Sequence, residues 1–293
     1  MTYRFIFFFE WYYLLLFKEL VYAALVNFSN TTSKSFHFFL WTDNIYRPLW
    51  TYEFSKNENQ VIMTYGGGAL AELKVKNTIL NPDYLGLRFS TWDRHVVLDK
   101  STVTLLKNKM TIPFDFKIQY PLLFYKLSKK LDLPQRSIAV FAYEDPRKYL
   151  GYGSFSDYSF SNGHYRLSGK LIFDFYNNLI NLLKKKNFYL VTKRKRSSNN
   201  LFARSTDLLF RNLSKEKNFI KLDSSVNPID LITSCKACIS MPVTSTAEIA
   251  RLKSLPSIFY DPYNWIDKND SSLGKNLVLN TYEVDKWLDT IKI

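Results

Sequence analysis

The sequence predicts an α/β protein built from two doubly wound, parallel-sheet domains, with an aromatic helix in front. Three observations carry that reading. Short apolar runs alternate with longer amphipathic stretches, the pattern of strands joined by crossover helices rather than by hairpins. The alternation is broken once, by the polar stretch at 128–136, and then restarts. The first 30 residues differ from all that follow in being dominated by Phe, Tyr, Trp and Leu. The division expected is therefore 1–30 for the aromatic helix, 31–130 for an N-terminal α/β domain and 131–293 for a C-terminal one.

From Phe5 to Phe17 only Glu10 is charged, and Lys18 and Glu19 interrupt the chain before Leu20–Val26. A spanning helix needs about 20 apolar residues without such breaks. A signal peptide would end in a small-residue cleavage site. Bulky aromatics with scattered charges suit a helix at a membrane interface, or equally one packed on the domain or left over from a missing upstream segment. After a polar linker, Phe36–Trp41 reads as a strand, Pro48 opens a helix running to Asn57, and Gln60–Tyr65 is the next strand. His95–Leu98 is a further strand, and Ser101 caps a helix to Lys109.

The second series begins with the apolar strand Ser137–Tyr143 and a loop, 144–168, rich in Gly, Ser and Tyr. Gly169–Lys186 carries Leu171, Phe175, Leu179, Leu182 and Leu183 on one helical face. Strand Phe188–Thr192 ends in Lys193-Arg194-Lys195-Arg196, and a helix over Ser205–Lys215 leads to strand Phe219–Leu222. Asn227-Pro228 opens a short helix to Ser234; strand Ala237–Met241 follows, then a helix from Thr244 to Leu252. Strand Ser257–Tyr260 and helix Glu283–Ile291 complete the series.

Composition narrows the functional classes. Of 293 residues 46% are hydrophobic, so a sizeable core can be buried and global disorder is excluded. A formal charge of +14 calls for an anionic partner or marks an unspecific basic surface. Nucleic acid is set aside, because the aromatics fall in apolar strands and helices rather than between basic residues on one face. Cys235 and Cys238 lack the second ligand pair of a zinc site and flank a strand start, so they read as core residues. No disulfide scaffold is possible, which suits a cytoplasmic protein, peripheral on the inner membrane face.

In parallel sheets ligands bind beyond the carboxyl ends of the strands. Three segments meet that condition: the loop with Glu144, Asp145, Arg147, Asp157, His164 and Arg166; the basic run from Lys193 to Arg196; and Pro242-Val-Thr-Ser-Thr246. The last combines a helix start, whose N–H groups and dipole attract anions, with three hydroxyl residues. The alternative is a helix cap by Thr244 or Ser245, with Glu248 completing a capping box. The basic run is either a solvated cluster or a neutralising arm for a diphosphate or sugar carboxylate.

Ile239-Ser-Met-Pro-Val-Thr-Ser-Thr-Ala247, followed by Leu255-Pro-Ser-Ile-Phe-Tyr-Asp-Pro262, resembles the signature of surface carbohydrate biosynthesis proteins named for a Pro-Phe-Thr-Ser motif. Arg47-Pro-Leu-Trp-Thr-Tyr-Glu53, Ser90-Thr-Trp-Asp-Arg94 and the basic run resemble further segments of that family, in the same order over residues 36–290. Val243 stands where the motif has Phe, and Gly66 to Gly68 replaces a more polar strand end. Ser254-Leu255-Pro256 stands where Gly-Lys-Pro is typical, and the N-terminal half is short, which predicts an absent or degraded upstream part.

The resemblance implies a GT-B-like fold of two facing Rossmann-like domains and a glycosyltransferase of capsule or O-antigen assembly. It would need neither bound metal nor other cofactor. Thr244, Ser245 and Thr246 would hold the phosphate of a nucleotide-sugar donor, CMP-linked by preference, with Lys193 and Arg196 offsetting its charge. Glu144, Asp145, Asp157 and His164 are candidate bases for a glycan or lipid-linked acceptor, with Asp43 and Glu53 across the cleft. Two rival readings are a non-catalytic nucleotide- or glycan-binding subunit and a protein that docks on an anionic membrane surface.

Overall fold

The computed structural model describes residues 2–29, 36–40, 47–48, 50–52, 60–64, 89–97, 100–119, 129–142, 169–194, 204–242, 244–264, 268 and 276–292. The chain divides into two compact units. The first contains helix α1 (Thr2–Ser29), strands β1 (Phe36–Leu40), β2 (Gln60–Thr64) and β3 (Arg94–Val97), helix α2 (Lys100–Lys109) and strand β4 (Asp115–Ile118). All three strand pairings are parallel, in the order β1-β2-β3-β4. Val61, Met63, His95 and Val97 are buried on one face, and burial holds His95 below its ordinary pKa, so the ring stays neutral. Helix α2 begins at Lys100, which puts Ser101 inside it rather than before it, where the sequence reading places it as the cap.

Arg47 knits this unit together. It is buried, and its Nε donates to Thr51 Oγ1 at 3.1 Å. Its Nη1 reaches the Thr91 carbonyl at 3.0 Å and Asp93 Oδ1 at 3.1 Å. The guanidinium stacks 4.3 Å from the Tyr52 ring centroid, and the Tyr52 hydroxyl meets Thr91 Oγ1 at 2.6 Å. The two N-terminal stretches that looked alike a family pattern are thus one contact cluster. A planar donor fork and a stacking face on one residue explain why Arg stands there.

The second unit holds β5 (Ser137–Phe141), α3 (Gly169–Lys185), β6 (Tyr189–Lys193), α4 (Arg204–Leu213), β7 (Phe219–Leu222), α5 (Pro228–Ser234), β8 (Ala237–Ser240), α6 (Ser245–Leu252), β9 (Ser257–Tyr260), β10 (Leu277–Val278) and α7 (Thr281–Asp289). Its six strands run in the order β10-β9-β8-β5-β6-β7, every pair parallel. From β5 the chain winds outward through β6 to β7, returns to the other side of β5 as β8, and winds outward again. That reversal is the switch point of a doubly wound sheet. Strands β5, β8 and β9 are buried throughout, as strands covered on both faces must be.

Local chemistry explains several boundaries. The Asn227 side chain accepts from Ile229 N at 2.9 Å and Pro228 takes the first turn of α5. Asn280 caps α7 through Glu283 N at 2.9 Å. Helix α3 ends with Asn187 N donating to Lys184 O at 3.1 Å and Phe188 N to Leu183 O at 2.8 Å, and Asn187 takes φ 57°. Helix α6 ends the same way: Ser254 N donates to Arg251 O and Leu255 N to Ala250 O, both at 2.9 Å, with Ser254 at φ 58°.

Serine has a Cβ and gains nothing there, whereas glycine carries no steric cost in the left-handed region. Ser254→Gly is therefore expected to stabilise the unit by about 0.5–1 kcal/mol, read as a higher urea midpoint with an unchanged slope. A lower midpoint would show that the serine side chain holds the turn.

Strands β4 and β10 have no counterpart in the sequence reading. β4 is exposed along its length at a sheet edge and so lacks a buried run; β10 is two residues long, too short for a period. Both cysteines are buried, and burial pushes the Cys238 thiol up to about 12.

Candidate functional site

The carboxyl ends of β5 and β8 lie side by side, with Phe141 paired to Ser240 and Met241 N donating to Phe141 O at 2.8 Å. The segment that follows β8 therefore starts at the switch point. After β8 comes the hydroxyl segment. Thr244 is the residue before α6, with extended φ −88° and ψ 138°, but its side chain makes no cap hydrogen bond. It turns back instead, Oγ1 donating to Met241 O at 2.9 Å.

Thr246 Oγ1 donates to Thr244 Oγ1 at 3.1 Å and lies 2.8 Å from the buried Ser240 Oγ. Proton direction follows from those partners: Ser240 donates to Thr246, Thr246 to Thr244, and Thr244 to the carbonyl. The three hydroxyls brace the turn against the strand end. Ser257 Oγ, donating to Ala247 O at 2.9 Å, ties the first turn of α6 to β9.

The expected capping box is absent. Glu248 pairs with Arg251 one turn along rather than reaching back to Thr244. This charged pairing neutralises the one carboxylate in the first turn, which would otherwise repel an anion. The start of α6 thus has no side-chain cap, half-buried Ser245 and Thr246 in its first turn, and the positive dipole end directed at the switch point.

Lys193 ends β6, half-buried, opposite Leu222. β6 and β8 flank β5, so the backbones of those two strands are about 10 Å apart across two strand spacings. Asp223, held below its usual carboxylate range by hydrogen bonds from Ser225, feels the Lys193 charge as well. Arg194 is fully committed elsewhere: it is buried, paired with Asp207 and stacked 5.3 Å from Phe210. The basic run is therefore not one solvated cluster, because its second member anchors α4. Arg196 and the whole loop bearing Glu144, Asp145, Asp157, His164 and Arg166 lie outside the described residues, as do Val243, Asp43, Glu53 and Gly66 to Gly68.

The Tyr-Asp-Pro ending resolves into structure. Tyr260 is buried and stacks on Phe175 at 5.6 Å, while Asp261 is buried and accepts from Tyr263 N at 3.2 Å. Two rim residues escaped the sequence reading. The Tyr263 hydroxyl donates to Asp174 on α3, and with burial this contact pushes the phenol up to about 12. Asp174 and Tyr263 stand 89 positions apart, and Ser240 looks like any other strand residue, so no local signal marks them.

Two units with parallel sheets, the second carrying a hydroxyl-braced helix start at its switch point, have the α/β architecture of the GT-B-like fold. The chain belongs to the polysaccharide biosynthesis PFTS motif protein family, whose model matches residues 3–288. No curated protein matches it by sequence. Among solved structures it is similar to the UDP-GlcNAc 2-epimerase of Methanocaldococcus jannaschii, at 9% identity and TM-score 0.52, covering 94% of this chain and 74% of that one. It is also similar to S. aureus MnaA, solved with UDP, at 9% identity and TM-score 0.51, covering 94% and 69%. At such identity the likeness is one of fold.

Proposed function

We propose that the protein transfers a sugar from a nucleotide-activated donor to a growing surface glycan, of the capsule or O-antigen kind. The observation that carries this reading is the uncapped, hydroxyl-bearing start of α6 beside the carboxyl end of β5. Displacing a nucleotide from an anomeric carbon builds negative charge on the departing phosphate. Helix N–H groups and Ser245 would meet that charge, Thr244 and Thr246 would hold the turn in register, and Lys193 and Arg196 would offset the rest. The acceptor hydroxyl, on a free or lipid-linked glycan, needs a base if configuration inverts. Glu144, Asp145, Asp157 and His164 are the candidates, since their loop follows β5, the strand beside the motif.

A CMP-linked sugar is the first donor to try. In a thermal-shift screen against CMP, UDP, GDP and their sugar conjugates, one nucleotide series is expected to raise Tm, by mass action on the folded state. No shift with any member at millimolar concentration would sink the reading. A shift with no transfer to any glycan would leave a binding subunit of an assembly complex. The remaining proposed partner is an anionic membrane surface, met through α1.

A further inference from the structure

Strand β4 lies at the end of the β1-β2-β3-β4 sheet, and its pairing among the described residues is with β3. Asp115 N donates to Asp93 O at 2.7 Å and Gln119 N to Val97 O at 2.8 Å, so Asp115, Lys117 and Gln119 turn their backbone groups toward β3. Alternate residues turn theirs the other way, which leaves the N–H and C=O groups of Phe116 and Ile118 at the outer edge. All four residues of the strand are exposed. A row of such groups is a template for another strand.

The side chains follow the same alternation. Phe116 and Ile118 stand in register with the buried His95 and Val97, so they prolong the buried face of the sheet, yet each remains 43% exposed. Phe114 lies on that face too, its ring 6.4 Å from Phe116 and 5.1 Å from His95. Asp115 and Lys117 occupy the opposite face, both exposed.

The order of residues selects the occupant. Turned about a two-fold axis at Phe116, the run Phe114-Asp-Phe-Lys-Ile118 is its own complement. Phe116 meets its copy, Phe114 meets Ile118, and Asp115 meets Lys117 on both sides of the axis. The backbone agrees with this register. Phe116 points its N–H and C=O outward and so forms a hydrogen-bonded pair, while Asp115 and Lys117 fall at non-hydrogen-bonded pairs, where side chains approach closest. Sliding the register one step either way sets Lys117 or Asp115 against its own copy, and like charges directly opposite are destabilising. The other edge strands, β1, β7 and β10, hold no acid and base in such an arrangement.

We infer that β4 pairs with β4 of a second copy of the chain, antiparallel and centred on Phe116, so that one sheet runs through both copies. The test is sedimentation velocity of the full chain from low to high micromolar concentration, in a non-ionic detergent that keeps the exposed residues of α1 from contributing. The wild type is expected to pass from monomer to dimer as concentration rises. Lys117→Glu sets like charges opposite each other on both sides of the axis and is expected to weaken the dimer by about tenfold or more. Asp115→Lys combined with Lys117→Asp exchanges the charges and is expected to restore it. Phe116→Pro removes an outward N–H without touching the ladder to β3, and is expected to abolish the dimer. Circular dichroism of every variant is expected to match the wild type, so that a lost dimer is lost association and not lost folding. No nucleotide enters the measurement, which keeps its outcome independent of the donor reading. A wild type that stays monomeric, a Lys117→Glu dimer as tight as the wild type's, or an exchange variant that stays monomeric overturns the inference.

Discussion

Replacing Arg47 with alanine is expected to destabilise the first unit by about 3 kcal/mol, through an emptied site and unanswered polar groups rather than through a lost ion pair. Asp93 is half exposed, so its Coulombic share is small. The larger cost comes from the Thr91 carbonyl and Thr51 hydroxyl losing a donor, and from the face of Tyr52 and the buried Trp92 losing the guanidinium packed on them. Arg47→Lys keeps the charge but not the fork, and is expected to recover less than half of the loss. Urea unfolding followed by tryptophan fluorescence reads both, because Trp50 and Trp92 lie in the cluster's neighbourhood. A loss below about 1 kcal/mol for the alanine variant would show that the cluster is held by its neighbours and not by Arg47.

Changing Thr244, Ser245 and Thr246 together to alanine is expected to weaken donor binding by roughly 100-fold, about 2.7 kcal/mol. Some binding should persist, because the helix N–H groups and dipole remain. Ser240→Ala serves as the comparison. It removes the inner end of the same hydroxyl chain but nothing on the rim, so donor affinity should stay within about threefold, well under 1 kcal/mol, while stability falls. Isothermal titration with the nucleotide found by the thermal screen separates the two. Unchanged affinity in the triple variant would remove the donor assignment, and equal losses in both variants would mean that the hydroxyls only brace the turn.

Much of the fold was legible because its signals are local. The Asn227-Pro228 helix start, the buried face of α3 from Phe175 through Leu179 to Leu183, and the apolar β5 and β8 each depend on residues within a few positions of one another. The site was legible in part. Pro242 to Thr246 falls after a buried strand, so its place on the rim follows from the sequence. The role of each hydroxyl does not. Ser245 and Glu248 have the types and spacing of a capping box, yet Ser245 lies inside the helix, Glu248 pairs with Arg251, and the N-cap residue Thr244 donates to Met241 O instead. Arg194 carries the same charge as its neighbours in the basic run and only Asp207, brought up by α4, marks it as structural.

By itself, then, the sequence determined most of the strands and helices, though not β4 or β10, that the strands run parallel, and that an aromatic helix precedes them. It also placed the Thr-Ser-Thr segment at a strand's carboxyl end. The tertiary structure decided that β8 returns to lie beside β5, which turns a strand end into a switch point. It also decided that Ser240 sits under Thr246, and that the bulky face of α1 points outward. The physical reason is range. Periodicity and capping depend on neighbours along the chain, whereas strand order and side-chain partners depend on which distant surfaces bury each other, and no local pattern records that.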